Sequence, residues 1–299
     1  MSGELEQAEP DRGELDRGEP GQGEPGQGEP DQGELGQGEL EPGEVRYEVT
    51  GRVARITLDR PRRRNALSRA VMVELVDRFL EADEDEDVWA VVLTATGDRA
   101  FCAGADLKEM DENARGERPI GIPMRGRARN LHEVVLEVGK PTIAALNGPA
   151  LAGGCELALA CDLRIAAEHA SLGMPEAKRG MGANFATVLL PRLVPRAVAL
   201  EMLYAGDPIS AADARHWGLV NSVVPADELE SATEELVGRI VANAPLSLRR
   251  YKEMATKGWE MPVHDALRLN AGPNPYRSAD REEGVRAFVE KRDPHWTGG

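Results

Sequence analysis

The segment LAGGCELALACD, residues 151–162, reads as a helix with a contradiction inside it. Ala, Leu and Glu favour helix. Glu156 has Ala152 four residues before it, and Leu159, Ala160 and Leu163 follow at i+3, i+4 and i+7, positions that share one helix face. A carboxylate therefore falls on an apolar face, just behind two glycines that weaken a helix start. A capping role or a pairing to a distant arginine would make it structural, although the apolar face makes capping unattractive. A proton-transfer role would make it chemical.

Working outward, TIAAL (142–146) and DLRIAA (162–167) read as strands on either side of this helix. Upstream, VRYEVTG (45–51) and VARITLDR (53–60) form a hairpin pattern with a tight glycine turn. Ser68 can cap a helix over 69–82, whose Val71, Leu75, Val76 and Phe79 have helical spacing. VWAVVLTAT (88–96) is the short apolar run of a strand buried on both faces. Residues 113–126 are rich in Gly, Pro and Arg and read as a mobile loop before a helix at about 127–138. Strand and helix alternate, so the class is α/β. After residue 175 the patterns are helical, near 185–193, 196–205, 210–216, 226–243, 246–257, 262–270 and 279–291, with one strand at 219–224. The chain divides into an α/β core over 45–225 and an α-helical region over 226–299.

Residues 1–44 have a different character. They hold 14 of the 52 acidic residues and two of the 36 basic ones, so most of the net charge of −16 lies there. They run GELDR, GEPGQ, GEPGQ, GEPDQ, GELGQ, GELEP, with almost nothing apolar to offset the entropy of ordering, and are expected to be disordered. A signal peptide's basic and apolar regions are lacking, and no run of 18 apolar residues suggests a membrane span. Cys102, Cys155 and Cys161 show no metal or redox spacing, which fits a reduced, cytoplasmic protein. The five histidines are scattered, so no metal site is expected. An acidic body without a basic stripe argues against nucleic acid as a partner.

Three segments carry candidate chemistry. In FCAGADLKEM (101–110) a Gly-Ala turn before a short helix leaves backbone N–H groups unpaired at the positive helix end, suited to an anion or a polarised carbonyl. NGPALAGGCELALACD (147–162) repeats the device, and Gly153 and Gly154 would let a ligand approach closely. In SLGMPEAKRG (171–180) Pro175 can start a helix with Glu176 in its first turn. GMGAN (180–184) lacks the third glycine and the preceding strand of a dinucleotide loop.

Together with RPRRRNAL, GLVNSVV and AFVEKR, in this order, these segments resemble the enoyl-CoA hydratase/isomerase (crotonase) superfamily from about Val45 to the C-terminus. The resemblance implies a spiral of ββα units with an α-helical C-terminal region. It implies oxyanion-hole amides on Ala105 and Gly153, and acid/base carboxyls on Glu156 and Glu176, 20 residues apart as in the family's hydratases. It places Ala66, Ala103, Asp106 and Leu107 along a coenzyme A site, with Arg64 and Lys108 meeting phosphates. Phe288 and Lys291 match C-terminal residues that reach such a site, often a neighbouring subunit's.

The activity implied is syn hydration of a 2-enoyl-CoA, with no cofactor beyond the coenzyme A of the substrate and assembly as a homo-trimer or homo-hexamer. Another crotonase reaction (isomerase, lyase or hydrolase) and a non-catalytic acyl-CoA- or RNA-binding relative are the alternatives. One departure stands out: Asn184 and Phe185 replace the Gly-rich segment that usually follows the second glutamate. The composition of the tail predicts that deleting residues 1–44 leaves turnover and thermal midpoint nearly unchanged; thermal scans and rate assays of the truncated chain check this.

Overall fold

A computed structural model describes residues 44–115 and 129–299, with backbone only for 112–115. In chain order it contains β1 (Val45–Thr50), β2 (Val53–Leu58), α1 (Arg69–Glu84), β3 (Ala90–Ala95), α2 (Leu107–Arg115), α3 (Leu131–Glu137), β4 (Thr142–Leu146), β5 (Ala150–Leu151), α4 (Gly153–Ala160) and β6 (Leu163–Ala167). There follow β7 (Ser171–Gly173), a 3-10 turn (Pro175–Arg179), α5 (Asn184–Leu193), α6 (Arg196–Ala205), β8 (Ile209–Ser210), α7 (Ala211–His216), β9 (Ser222–Val224), α8 (Leu229–Val241), α9 (Pro245–Gly258), α10 (Val263–Ala266) and α11 (Ala279–Glu290).

Six strands form one sheet in the order β1-β2-β3-β4-β6-β9, antiparallel at the first pair and parallel thereafter. Successive side chains of the inner strands go to opposite faces. Val91, Leu93, Ala144, Leu146 and Ala166 join the larger core with Leu75 and Phe79 of α1 and Leu157 of α4. Ala90, Val92, Ile143, Ala145, Ile165 and Ala167 join a smaller one covered by Leu229 and Val237 of α8. This double coverage is why these strands read as continuous apolar runs rather than alternating ones.

A second sheet, β5-β7-β8, is absent from the sequence reading. Its strands are two or three residues long, too short for a period-two signal. It supplies the ββα repeat: β4, β5 and α4 form one unit, and β6, β7 and α5 the next. The loop expected over 113–126 also differs, since α2 runs to Arg115; residues 116–128 lie outside the described residues. The helix expected at about 127–138 is described only as α3, where Asn130 caps the amides of His132 and Glu133. The helix expected over 262–270 shortens to α10.

Buried cations end two of the helices. Arg164 donates to the carbonyls of Ala158 (3.1 Å), Cys161 (2.6 Å) and Leu219, and Lys140 donates to Ala82 (2.7 Å). A positive charge at a helix C-terminus satisfies its orphan carbonyls and opposes the dipole. The three cysteines are buried and free, and burial pushes the thiols up, Cys102 and Cys161 to about 12. No described helix is long and apolar enough to cross a membrane.

Glu44 belongs to the folded body. Its carboxylate accepts from Arg60 Nε at 2.6 Å, and its carbonyl accepts from the Asp59 amide at 2.8 Å. Both side chains of the pair are largely covered. Deleting residues 1–44 therefore removes this contact, against the expectation from composition that the thermal midpoint stays nearly unchanged; deleting residues 1–43 keeps it. Glu44→Ala is expected to cost roughly 1–2 kcal/mol, between the values of exposed and buried pairs, measured by urea unfolding; an unchanged midpoint would show the pair to be without weight.

Candidate active site

The loops that follow β2, β3 and β4 leave the carboxyl edge of the parallel strands, where open α/β sheets hold ligands. Asn65 ties two of them together. It sits at φ 53°, a left-handed conformation that Asn tolerates better than most residues. Its side chain accepts from the Arg60 amide (2.9 Å) and donates to the carbonyls of Thr96 (3.1 Å) and Ala100 (2.8 Å). Residues 64–67 then run beside 103–106, with Ala103 N donating to Arg64 O (3.1 Å), Leu67 N to Gly104 O (2.8 Å) and Asp106 N to Leu67 O (3.0 Å). Ala105 is skipped by this ladder, and among the described residues its amide donates to nothing.

The third loop meets the second through glycines. A Cβ on Gly104 would stand 2.7 Å from Ala152 Cβ and 3.1 Å from Gly153 N. A Cβ on Gly154 would stand 2.6 Å from Cys102 Cβ. Gly154 therefore makes room for the neighbouring loop and not, as the sequence suggested, for a ligand. Ala152 is held at φ 52°, ψ −130°, a strained conformation for a residue with a Cβ. The next amide, Gly153 N, begins α4 and has no acceptor among the described residues. A Cβ on Gly153 would lie 4.0 Å from Ala105 N, so the two free amides are neighbours.

Glu156 lies one turn into α4, which is buried almost throughout. Its carboxylate accepts from the Ala186 amide at 2.9 Å and from the Phe185 amide. It thus caps the N-terminus of a different helix, α5, a role that the sequence made unattractive. The buried Arg164 stands beyond the other end of α4 and donates only to carbonyls. Burial holds the Glu156 carboxyl above its usual range, and the α5 amides act in the opposite direction. Glu176 sits in the 3-10 turn after β7, buried, with Oε2 lacking a partner. Burial raises its carboxyl, its own amide lowers it, and the nearby charge of Glu156 raises it further.

The remaining candidates separate into two groups. Ala66 and Ala103 lie on the paired loops beside Ala105, and Arg64, Leu107 and Lys108 form an exposed rim. Asp106, expected along the coenzyme A site, is committed within the fold: it is buried, 3.4 Å from Arg60 Nη2, and accepts from the Lys108 amide at 3.2 Å. Phe288 and Lys291 are not brought to the rest. Phe288 is 86% exposed and lines a cavity of about 560 Å³ among α9, α11 and Trp296 that none of the other candidates line. Lys291 ends α11 in a left-handed conformation.

Sequence reasoning missed His132. Its Nε2 lies 3.2 Å from Gly153 O and 3.9 Å from Glu156 Oε2, and its ring stacks on Phe185 at 5.3 Å. A lone histidine in the first turn of a short helix gives no signal of this. Asn65, quoted only as part of RRRNAL, could have been found from its tolerance of left-handed backbone. Among the described residues no group of three or more His, Cys, Asp or Glu side chains could hold a metal ion.

Residues 48–299 match the model of the enoyl-CoA hydratase/isomerase family. The chain belongs to that family. It is 40% identical over 255 residues to a carnitinyl-CoA dehydratase of Salmonella paratyphi A, across 83% of this chain and 96% of that protein. The crystal structure of an enoyl-CoA hydratase from Bacillus anthracis superposes with a TM-score of 0.79 at 39% identity, covering 86% of this chain and all of that one. An enoyl-CoA hydratase from Mycobacterium tuberculosis gives 0.76 at 35% identity, covering 86% and 99%. The α/β fold with its C-terminal helices is the fold of this family.

A carboxyl raised in the folded state stabilises the fold below its unfolded value and withdraws that stabilisation as pH rises through the folded one. Glu176→Gln removes the ionisation. Its melting temperature is expected to match the parent's near pH 4 and to exceed it at pH 8. A variant less stable than the parent at pH 8 would mean that the carboxylate is stabilised there rather than strained.

Proposed function

We propose that the chain is an acyl-CoA hydro-lyase that adds water, syn, across the C2–C3 double bond of a 2-enoyl-CoA, or removes it from the 3-hydroxyacyl-CoA. The observation that carries this reading is the pair of free amides, Ala105 and Gly153, with the buried Glu156 in the same first turn of α4 and the buried Glu176 within reach of its charge. A thioester carbonyl oxygen between the amides would become an enolate oxygen as the nucleophile adds at C3. Each such donor is worth roughly 3 kcal/mol at the transition state.

The two carboxyls are not equivalent. Glu156 accepts two amides of a helix N-terminus, which favours its ionised form. On Glu176 burial and then the charge of Glu156 favour the protonated form, with its own amide and Arg179 opposing, and one oxygen has no partner. Glu156 is therefore the base that takes the proton from water, and Glu176 the acid that delivers one to C2. Such a pair titrates as a unit, and carboxyls set apart by their surroundings divide acid and base work at one pH. No step requires a cofactor. Ala66, Ala103 and Leu107 would flank the thioester arm, and Arg64 and Lys108 would meet coenzyme A phosphates.

The relatives' names, carnitinyl-CoA dehydratase and enoyl-CoA hydratase, both describe moving water at an acyl-CoA and differ in the acyl group. The acyl group of this chain is assigned only as a 2-enoyl. Phe288 and Lys291 would serve a site across an interface with a second copy, consistent with the exposed Val285, Phe288 and Val289 on α11.

A panel of 2-enoyl-CoA thioesters, with 3-enoyl-CoA beside it, tests the assignment. Hydration of at least one 2-enoyl substrate is expected. Glu156→Gln and Glu176→Gln should each lower kcat about 10²–10⁴-fold, with acyl-CoA still bound and the double variant losing about as much as the worse single one, because the losses of residues that act as a unit do not add. Full hydration by Glu176→Gln, or isomerisation without hydration by the parent, would overturn the two-carboxyl reading.

A further inference from the structure

His132 is the one imidazole at the candidate site, and the water-addition chemistry above does not use it. The N-terminal cap of α3 fixes where it stands, with Asn130 Oδ1 accepting from the His132 amide at 3.0 Å. From there the side chain reaches Gly153 O, 3.2 Å from Nε2. A carbonyl oxygen only accepts, so the proton of the ring must be on Nε2. Three contacts then close a ring of interactions. His132 donates to Gly153, its ring stacks on Phe185, and the Phe185 amide donates to Glu156, which sits on the same first turn of α4 as Gly153.

We infer that His132 is a positioning residue of this site: its Nε2–H holds the Gly153 carbonyl and so fixes the glycine whose amide faces Ala105, while its ring, backed by Phe185, closes the wall beside Glu156. The physical need is specific. Glycine has no Cβ to restrict it, and the residue before it is strained, so its direction is fixed only if the peptides on both sides of it are anchored. The helix supplies one through the Glu156 amide, which donates to Ala152 O at 3.0 Å. His132, from α3, supplies the other on the peptide that follows, through Gly153 O. The inference rests on the reading of Ala105 and Gly153 as the oxyanion pair.

Protonation would change this arrangement. Among the described residues the charged groups that face the ring are Glu156 from α4, 3.9 Å from Nε2, and Glu133 from its own helix; α5 presents the neutral Phe185. Burial holds the imidazole below its ordinary value, with the Gly153 bond and Glu133 opposing. An imidazolium would be drawn toward Glu156, away from Gly153, and would leave the proposed base in an ion pair. Activity should therefore fall on the acid side as His132 takes up its proton.

Two variants and one measurement on the parent test this. His132→Phe keeps the ring stack and removes the donor; His132→Gln restores an N–H without a group that titrates near neutrality. With crotonyl-CoA as the probe, His132→Phe is expected to lose about 10²-fold in kcat, the scale of a small misplacement of reacting groups. Its Kd for butyryl-CoA should stay within threefold of the parent's. His132→Gln should recover at least tenfold of the loss and lack the acid limb that belongs to the imidazole. A His132→Phe enzyme with the parent's kcat and pH profile would reduce His132 to a wall residue. The third measurement needs no turnover: nitrogen-15 NMR of the labelled parent at pH 7.5 is expected to report the Nε2–H tautomer. An Nδ1–H tautomer or an imidazolium would overturn the inference. If the parent hydrates none of the thioesters while the tautomer is as expected, the hydro-lyase reading fails and the anchor on Gly153 stands.

Discussion

Two loops can lie this close only because Gly104 and Gly154 have no side chains. A methyl group on Gly104 would meet Ala152 Cβ at 2.7 Å and Leu151 O at 2.9 Å, and one on Gly154 would meet Cys102. Backbone on both sides leaves nothing flexible to yield. The close approach puts the Ala105 and Gly153 amides side by side, and it seats α4 so deep that Glu156 is buried with it. The strained Ala152 between them is the local cost of turning from β5 into α4 without leaving that contact.

Around this contact the polar groups are arranged so that each buried charge has a reason. Arg60 is shared among Glu44, the Ala66 carbonyl and Asp106, and so braces the loop that carries Ala105. Asn65 braces the same loop from the end of β3. Arg164 and Lys140 take the carbonyl ends of two helices. Glu156 takes the amide end of a third. Glu176 is the exception, a buried carboxyl with an oxygen that has no partner. Beside Glu156, Arg60 and Arg164, whose partners are in place, an oxygen without one marks the place where a ligand or a proton is expected to complete the set.

Much of this was legible in the amino-acid sequence. Spacing alone placed α1, the doubly buried strands and a carboxylate on an apolar helix face, because those signals are local and repeat over several residues. Residue type alone marked Gly-Ala and Gly-Gly as places where a chain turns or approaches closely. The resemblance of the ordered motifs to the enoyl-CoA hydratase/isomerase family then named the fold and the candidate residues.

Tertiary structure decided the partners. The carboxylate of Glu156 meets an amide 30 residues away, Asn65 a carbonyl 35 away, and His132 a carbonyl 21 away. None of these separations leaves a periodic trace in a chain, so neither the capping of α5 by Glu156 nor the commitment of Asp106 to Arg60 could be read in advance. The second sheet escaped for a related reason: strands of two or three residues are held by their neighbours rather than by their own pattern. What the sequence by itself determined was which segments bury which faces, since that follows from apolar periodicity within each element. What only the folded chain decided was which buried polar groups find one another, because a hydrogen bond depends on ångström-scale placement that distant segments set together.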